Sequence, residues 1–342
     1  MPLAALWLRR NDQNVSATLD GLRDVGAGYC AQRYTGTMRM ILCCGEALID
    51  MLPIESGHAA GFAPHTGGAV FNTAVALARL GAPTGFFSGL SADFFGDMLR
   101  GSLVDAGVDT NACVTSDRPC TLAFVRLVEG QATYVFYDEN TSGRMLEPAD
   151  LPEISADALF FGGISLVNEP AAAAYEALML REAGHRVTMI DPNIRPGFIT
   201  DEVSYRARLA RMLAAADLIK MSLEDLDWLA QGDADDWIAQ LLQGGVSAIF
   251  LTDGSRGAHA VTRDQKVSAP AQKVAVVDTV GAGDTFNAGV LASLHGAGVL
   301  TRDALHTIDA GTLTAALQMG TAAAAITVSR AGANPPWRRE LG

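Results

Sequence analysis

The sequence has 342 residues and a formal net charge of −13, with 49% hydrophobic and 18% charged residues. This composition supplies ample apolar material for a globular core, and the acidic balance disfavours a nucleic-acid partner. No run reaches the roughly 18 unbroken apolar residues of a membrane span, because Gln318 and Gly320 interrupt the longest one, at 313–328. The five cysteines contain no Cys-x-x-Cys pair, so we expect no zinc site or disulfide framework and a cytoplasmic protein.

Residues 1–37 lack a clean periodicity, and a strong strand pattern then begins at Met40. We expect 1–37 to be a poorly ordered N-terminal extension without chemistry, and 38–342 to form the folded domain. Met38 and Met40 precede the strand directly, which suggests a misassigned translation start.

From residue 40 onward, apolar strand patterns alternate with helical patterns, which favours an α/β fold with a mostly parallel sheet covered on both faces. Two stretches, at about 50–66 and 119–138, break this rhythm and predict a small antiparallel sheet that stands over a site as a lid. Strands are predicted at 40–44, 84–88, 158–162, 186–191, 247–252 and 273–277, and helices at 72–80, 96–106, 170–183, 204–215, 222–230, 235–243 and 282–295, with more helix to 328.

The first predicted strand is followed by Gly45-Glu46-Ala-Leu-Ile-Asp50 and then by a glycine turn, Thr66-Gly67-Gly68, that leads into a helix. Paired glycines let the backbone approach a ligand closely. Asp50 is suited to accept hydrogen bonds from sugar hydroxyls, and Asn72 can both donate and accept. Each motif by itself is also common in ordinary turns and loops.

The most informative stretch is Asp278-Thr-Val-Gly-Ala-Gly-Asp284, which follows an apolar run, Val274 to Val277, that predicts a buried strand. A glycine turn at a helix start is an anion site, because the first backbone N–H groups lack partners within the helix. Asp284 falls in the first turn, where it is either a helix cap or a general base beside the bound anion. Phosphoryl transfer to an alcohol needs a general base beside a bound anion.

These two glycine turns, in this order, resemble the two signatures of the ribokinase-like (PfkB) carbohydrate kinase family. Within the family the chain is most similar to bacterial fructokinases, because of further motifs at 45–50, 137–140, 143–146 and 191–196. The resemblance implies a ribokinase-like three-layer sandwich with a mostly parallel central sheet and a small β-sheet lid. It also implies ATP as co-substrate, Mg²⁺, K⁺ as an optional cation, and a homodimer.

The resemblance also implies roles for individual residues. Asp284 is similar to the catalytic base of the family, with Gly281, Ala282 and Gly283 as the anion hole. The family's sugar contacts match Asp50, Gly67, Gly68 and Asn72. Its nucleotide-binding positions match Asn193, Lys220, Ser222, Thr252, Gly254, Gly257 and Thr321. Ser222 and Asp225 replace the usual Asn-x-x-Glu pair of the family, so either Glu224 or Asp225 is expected to be the acidic residue that helps to bind Mg²⁺. Asp278 and Val280 match the positions that bind the monovalent cation.

The leading hypothesis is therefore an ATP-dependent kinase acting on a primary hydroxyl of a small sugar, with fructose as first choice. Kinases of 2-keto-3-deoxygluconate, ribose or nucleosides remain open, as does a catalytically silent sugar-binding regulator on the same scaffold. A dinucleotide oxidoreductase is excluded, because no Gly-x-Gly-x-x-Gly follows the first strand, and a P-loop kinase is excluded because the chain has no Gly-Lys dipeptide.

Overall fold

The computed structural model describes residues 40–56, 59–128 and 131–342. The predicted extension at 1–37 lies outside the described residues, so it stays a prediction.

Short buried runs form many of the strands of the described residues. Their bounds are β1 Ile41–Cys44, β2 Leu48–Ser56, β3 Ala59–Gly67, β4 Thr84–Phe87, β5 Gly89–Ser91, β6 Val114–Ser116, β7 Leu122–Val128, β8 Gln131–Tyr137, β9 Ala158–Gly162, β10 Val187–Asp191, β11 Leu218–Ser222, β12 Ala248–Thr252, β13 Ala258–Val261 and β14 Lys266–Ala269.

Most helices begin at an Asp, Ser or Thr whose side chain accepts a hydrogen bond from a backbone N–H of the first turn, as at Asp93, Asp201 and Thr301. Their bounds are α1 Ala69–Arg79, α2 Phe94–Ala106, α3 Ala171–Glu182, α4 Glu202–Ala215, α5 Leu223–Ala230, α6 Ala234–Gly244, α7 Ala282–Gly296, α8 Arg302–His306 and α9 Ala310–Val328.

The central sheet has the strand order β14-β13-β12-β11-β10-β9-β1-β4. Strands from β12 to β4 run parallel, and β13 and β14 add an antiparallel edge. Successive residues point to opposite faces, so Cys43 packs into one apolar cluster with α1, α2, α7 and α9, whereas Cys44 packs into another with α3 to α6. The predicted three-layer arrangement with a mostly parallel sheet is confirmed.

A small separate sheet is formed by β3, β2, β7 and β8, in that spatial order. Each of its hairpins, β2–β3 and β7–β8, is antiparallel, and β2 pairs with β7 in parallel. One face of the small sheet contacts the segment between β10 and α4, where the ring of Phe136 meets that of Phe198 edge-on at 4.7 Å between centroids. The sheet is therefore suited to cover the carboxyl end of the central strands.

The strand predicted at 273–277 is wrong. Residues 271–277 have no regular structure and continue beyond the edge strand β14, so no neighbouring strand is available to pair with them. Val276 is 65% exposed and, together with Val274, lines an open cleft at this side of the sheet. Apolar residues that border a cleft produced the same pattern as a buried strand.

The strand β11 was not predicted, because Lys220 interrupts its short apolar run. In the structure the Lys220 ammonium is buried and lies 2.9 Å from the Asp191 carboxylate at the end of β10. The neighbouring strand thus supplies the charge that lets a lysine occupy an interior position.

Helix α9 is the one helix of the described residues long and apolar enough to cross a membrane by length and composition. It packs along α7 and against β13 and β14, and its Leu313 and Leu317 are fully buried in the core. This packing accounts for its apolar composition, as predicted for the run at 313–328.

Candidate active site

The start of α7 forms a backbone cradle. Gly281 precedes the helix with a φ of 77°, in the left-handed region that favours glycine, and a Cβ there would lie 2.7 Å from the Cβ of Ala333. Ala282, Gly283 and Asp284 follow as the first turn, whose N–H groups have no partner within the helix. The cradle predicted from the sequence is thus formed by the helix start, and it fits an anion.

Asp284 connects the two glycine turns of the chain. Its Oδ2 accepts a hydrogen bond of 2.9 Å from the Asn72 side-chain amide of α1, and the residue is 8% exposed. Burial raises the pKa of Asp284 to about 7, whereas the Asn72 hydrogen bond opposes this shift. A carboxyl group that changes charge near neutral pH, in a defined orientation, is suited to act as a general base.

The residues predicted to contact a sugar lie together at the base of the small sheet. Gly67 ends β3, and a Cβ on it would lie 2.2 Å from the Asp50 Oδ2 atom, so the carboxylate occupies the space that glycine leaves open. Gly68, with a φ of 110°, directs the chain into α1, which carries Asn72. Burial raises the pKa of Asp50 to about 6.

Glu46 belongs to this region but was not predicted as a site residue. Its carboxylate is buried and accepts hydrogen bonds from the backbone N–H groups of Ala69, at 2.8 Å, and Ser165, at 3.3 Å. Burial raises the pKa of Glu46 to about 7, although its hydrogen bonds oppose that shift. The sequence offered one indication of this role, an acidic residue shortly after a buried strand. The same pattern is equally typical of a solvated loop.

A buried polar network lies behind the cradle. The Asp191 Oδ2 atom accepts from the Lys220 ammonium at 2.9 Å and from the Asn287 amide of α7 at 2.7 Å. Burial disfavours the ammonium, but the charge of Asp191 prevails and raises the pKa of Lys220. A Cβ on Gly283 would lie 3.2 Å from the Lys220 Nζ atom, so a positive charge lies directly beside the anion cradle.

A cleft of about 660 Å³ opens from the cradle toward the antiparallel edge of the central sheet. Ala282 and Gly283 form its floor, and Val274, Val276 and Phe286 add apolar surface. Every residue that was predicted to bind nucleotide lines this cleft: Asn193, Lys220, Ser222, Thr252, Gly254, Gly257 and Thr321.

The two acidic residues predicted for Mg²⁺ differ in their surroundings. Asp225 is buried, and its oxygens accept from the backbone N–H of Ile194 at 2.9 Å and from the Ser222 hydroxyl at 2.8 Å. Glu224 is exposed and lines the cleft. The described residues hold no cluster of three His, Cys, Asp or Glu side chains suited to bind a metal. The exposed Glu224 carboxylate fits Mg²⁺ that is held mainly by phosphate and water.

The residues predicted for a monovalent cation lie just before α7. Asp278 accepts hydrogen bonds from the backbone N–H groups of Val280, at 3.0 Å, and Gly332, at 2.9 Å. The carboxylate therefore joins the loop before the cradle to the segment after α9.

Comparison with known proteins gives results consistent with this geometry. Residues 38–339 match the model of the pfkB family carbohydrate kinases. A fructokinase of Rhizobium leguminosarum bv. trifolii is 53% identical over 274 residues, which cover 79% of this chain and 84% of that protein.

Solved structures of two sugar or riboside kinases share the fold. Fructokinase from Xylella fastidiosa with bound ATP has a TM-score of 0.80 and 31% identity, covering 89% of this chain and 98% of that one. Aminoimidazole riboside kinase from Salmonella enterica, complexed with aminoimidazole riboside and an ATP analog, has a TM-score of 0.75 and 27% identity at the same coverage of 89% and 98%.

Proposed function

Since this chain belongs to the pfkB family of carbohydrate kinases, we propose that it transfers the γ-phosphate of ATP to a primary hydroxyl of fructose. The observation that carries this proposal is the contact between Asn72 and Asp284. It brings the predicted sugar-binding turn of α1 against the predicted base of α7, next to a cleft large enough for a nucleotide.

In this mechanism the sugar lies under the small sheet, against Asp50, Gly67, Gly68 and Asn72. Ionised Asp284 takes the proton of the attacking hydroxyl as its oxygen forms a bond to the γ-phosphorus, and the bond from that phosphorus to the β-phosphate oxygen breaks. The products are the sugar phosphate, ADP and, later, a proton released from Asp284. Positioning and charge stabilisation provide the rate acceleration, because no covalent intermediate with the enzyme is needed.

ATP would occupy the large cleft with its γ-phosphate at Gly281, Ala282 and Gly283. The N–H groups of this turn and the nearby Lys220 ammonium stabilise negative charge on the transferred group. Val274 and Val276 supply apolar surface that suits a flat base.

Mg²⁺, when bound, would neutralise charge on the phosphates, and Glu224 is the residue best placed to hold it through water. Asp225 supports the fold instead, since its oxygens are engaged by Ile194 and Ser222. A K⁺ ion would bind beside Asp278 and the carbonyl of Val280, where it would stabilise the loop that precedes the cradle.

We further propose a cytoplasmic homodimer whose partners are sugar and ATP, without nucleic acid or membrane. The dimer would form through the outer face of the small sheet. Phe62, Val135 and Tyr137 are exposed on that sheet by 47%, 53% and 61%, which is unusual for large apolar side chains of a monomer.

The test is ADP release with Mg²⁺–ATP against fructose, glucose, ribose, 2-keto-3-deoxygluconate, adenosine, inosine and aminoimidazole riboside. We expect saturable turnover with fructose and at least tenfold lower kcat/KM with every other acceptor, in line with hydrogen-bonded substrate discrimination. Faster turnover of a riboside would replace fructose as the substrate. Sugar binding by calorimetry without any ADP release would instead support the silent regulator.

A further inference from the structure

Helix α1 has no cap of its own. Its N-cap residue is Gly68, which lacks a side chain, and Val70 in the first turn is fully buried. The carboxylate of Glu46 caps the helix instead, because its Oε1 atom accepts hydrogen bonds from the backbone N–H of Ala69, at 2.8 Å, and more weakly from that of Val70, at 3.4 Å. A negative charge at this end is also favoured by the helix dipole.

The position of Glu46 is fixed from several sides. Its other oxygen, Oε2, accepts from the backbone N–H of Ser165 after β9. A Cβ on Gly163 would lie 2.2 Å from Oε1, and one on Gly68 would lie 2.8 Å from the Glu46 carbonyl oxygen. The carboxylate thus joins the end of β1, the start of α1 and the end of β9 in one closely packed contact.

The start of α1 is connected to the base by two short routes. Asn72 lies one turn into the helix, where its N–H donates to Gly68 at 2.8 Å and its side chain donates to Asp284 at 2.9 Å. The Thr73 hydroxyl contacts the carbonyls of Ala69, at 2.9 Å, and Asp284, at 3.3 Å. A displacement of the helix start would therefore move the amide that orients the base.

We propose that Glu46 is a positioning residue for phosphoryl transfer: its carboxylate fixes the start of α1 and, through Asn72, the orientation of the Asp284 carboxylate. This inference rests on the proposed function, since it assigns Glu46 a part in that reaction. Glu46 acts through α1 rather than on the substrate.

Charge adds a second link between Glu46 and the base. The repulsion between the two buried carboxylates is mutual, and Asp284 contributes to the raised pKa of Glu46 after the larger effect of burial. Removing the Glu46 charge should therefore lower the pKa of Asp284. The other titratable or charged groups that face Glu46 or share its small cavity are Tyr175, Tyr205, Asp138 and Arg144.

The test compares Glu46→Gln with the wild type on fructose, using kcat, both KM values and the pH profile. The NH₂ group of Gln would face a backbone N–H group, either that of Ser165 or those at the start of α1, so one hydrogen bond to the backbone is lost. We expect kcat to fall roughly 10- to 100-fold, as for a misplacement of about 1 Å, with KM for ATP nearly unchanged. The acid limb of kcat/KM should move to lower pH, which a purely structural role would not cause.

The matched control is Glu182→Gln, which removes a carboxylate of equal exposure, 9%, that pairs with Arg181 and Arg186 at the end of α3. It should retain wild-type kcat even if it lowers the melting temperature. If Glu46→Gln does not fold, Glu46→Asp is the variant that tests the inference, because it keeps the negative charge on a side chain that is one methylene shorter. In Glu46→Asp, kcat should fall while the acid limb of kcat/KM stays at the pH of the wild type.

Normal kcat in Glu46→Gln, or in Glu46→Asp where Gln does not fold, would overturn the inference. So would an equal loss of kcat in Glu182→Gln. Absence of turnover in the wild type is a separate result, because it contradicts the proposed function itself.

Discussion

The neighbours of the Asp284 carboxylate act on its pKa in opposite directions. Burial is the largest influence and raises it, and the nearby charge of Asp191 adds to this effect. The Asn72 hydrogen bond and the charges of Lys220 and Arg195 lower it. The balance, a pKa of about 7, leaves the group able to accept a proton without being permanently ionised or permanently neutral.

This balance predicts an acid limb in the pH dependence of the enzyme. The base must be ionised, and the pKa of Asp284 is raised to about 7, so protonation begins near neutral pH rather than near pH 4. We expect kcat/KM for fructose to be constant at alkaline pH and to fall about tenfold per pH unit below that pKa. Constant kcat/KM between pH 5 and about 8, where Asp284 would titrate, would contradict this assignment.

A second prediction concerns Gly67. A Cβ at this position would lie 2.2 Å from the Asp50 Oδ2 atom and would displace the carboxylate. Gly67→Ala should raise KM for the sugar about 10- to 100-fold and leave KM for ATP within about twofold, because one hydrogen-bonded contact is lost on one side of the site only.

The control for this variant is Gly101→Ala in α2, where a Cβ would meet no atom within 4 Å. That change should leave both KM values unchanged and stabilise the fold slightly, since Ala is the better helix former. Equal KM values for the sugar in the two variants would exclude a role of Asp50 in sugar binding.

At the level of single residues, local chemistry was predictable from the sequence and partners were not. The glycine turn and Asp284 form a contiguous motif, so their geometry at the start of α7 followed from backbone rules. The engagement of Asp225 by Ile194 depends on a loop 31 residues away, and the link from Glu46 to Ser165 spans 119 residues. Neither pairing leaves a signal in local spacing.

At the level of elements, the contact between Phe136 of β8 and Phe198 connects the small sheet to the main layer. Such an edge-to-face pair contributes about 0.5–1.5 kcal/mol beyond its buried area. Phe198→Ala should therefore shift the small sheet toward an open position and admit water to the site.

We expect Phe198→Ala to raise KM for fructose several-fold and to increase the ATP hydrolysed per sugar phosphate formed, which paired assays of ADP and sugar phosphate would measure. Phe94→Ala, at a ring that is 66% exposed on α2, is the control and should keep ADP and sugar phosphate equal. Equal amounts in Phe198→Ala as well would mean that this contact does not control closure.

Helices and well-isolated strands agreed with the sequence patterns, because their apolar periodicity is set by the core they face. The edge strands β13 and β14 were not predicted, and two further errors fell beside the predicted nucleotide site. Lys220 interrupts the apolar pattern of β11, and Val274 and Val276 gave the pattern of a strand although they line the cleft. Both departures place unusual residues beside the predicted nucleotide site, where function rather than packing selects them.

At the scale of the whole molecule, the outer face of the small sheet carries several large apolar side chains that are exposed among the described residues. Phe62 and Tyr137 each contact Phe124 edge-on, at 5.0 Å and 5.5 Å between ring centroids, and Val135 lies opposite Phe124 in the β7–β8 register. These side chains form one apolar patch, which the proposed dimer would bury.

Light scattering should therefore give twice the mass of one chain for the wild type. Val135→Asp would place a charge in the buried interface and should give the mass of a single chain. Val203→Asp, at a valine that is 81% exposed on α4, should remain a dimer. A wild-type protein with the mass of one chain, or a dimer unaffected by Val135→Asp, would exclude this interface.

The site as a whole is assembled from distant segments, since Asn72 and Asp284 lie 212 residues apart and meet only in the folded chain. The sequence indicated both motifs and their chemistry, and a resemblance to a family suggested that they act together. Their direct contact, with Glu46 behind it, depends on the parallel order of β9, β1 and β4 beneath α1.

The most direct test of the central claim is the rate of fructose phosphate formation by Asp284→Asn at saturating Mg²⁺–ATP. The account predicts a loss of kcat of at least about 10³-fold with sugar and ATP binding retained by calorimetry, because the amide accepts the Asn72 hydrogen bond but cannot take the hydroxyl proton. A kcat near that of the wild type would remove Asp284 from the chemistry and with it the proposed mechanism.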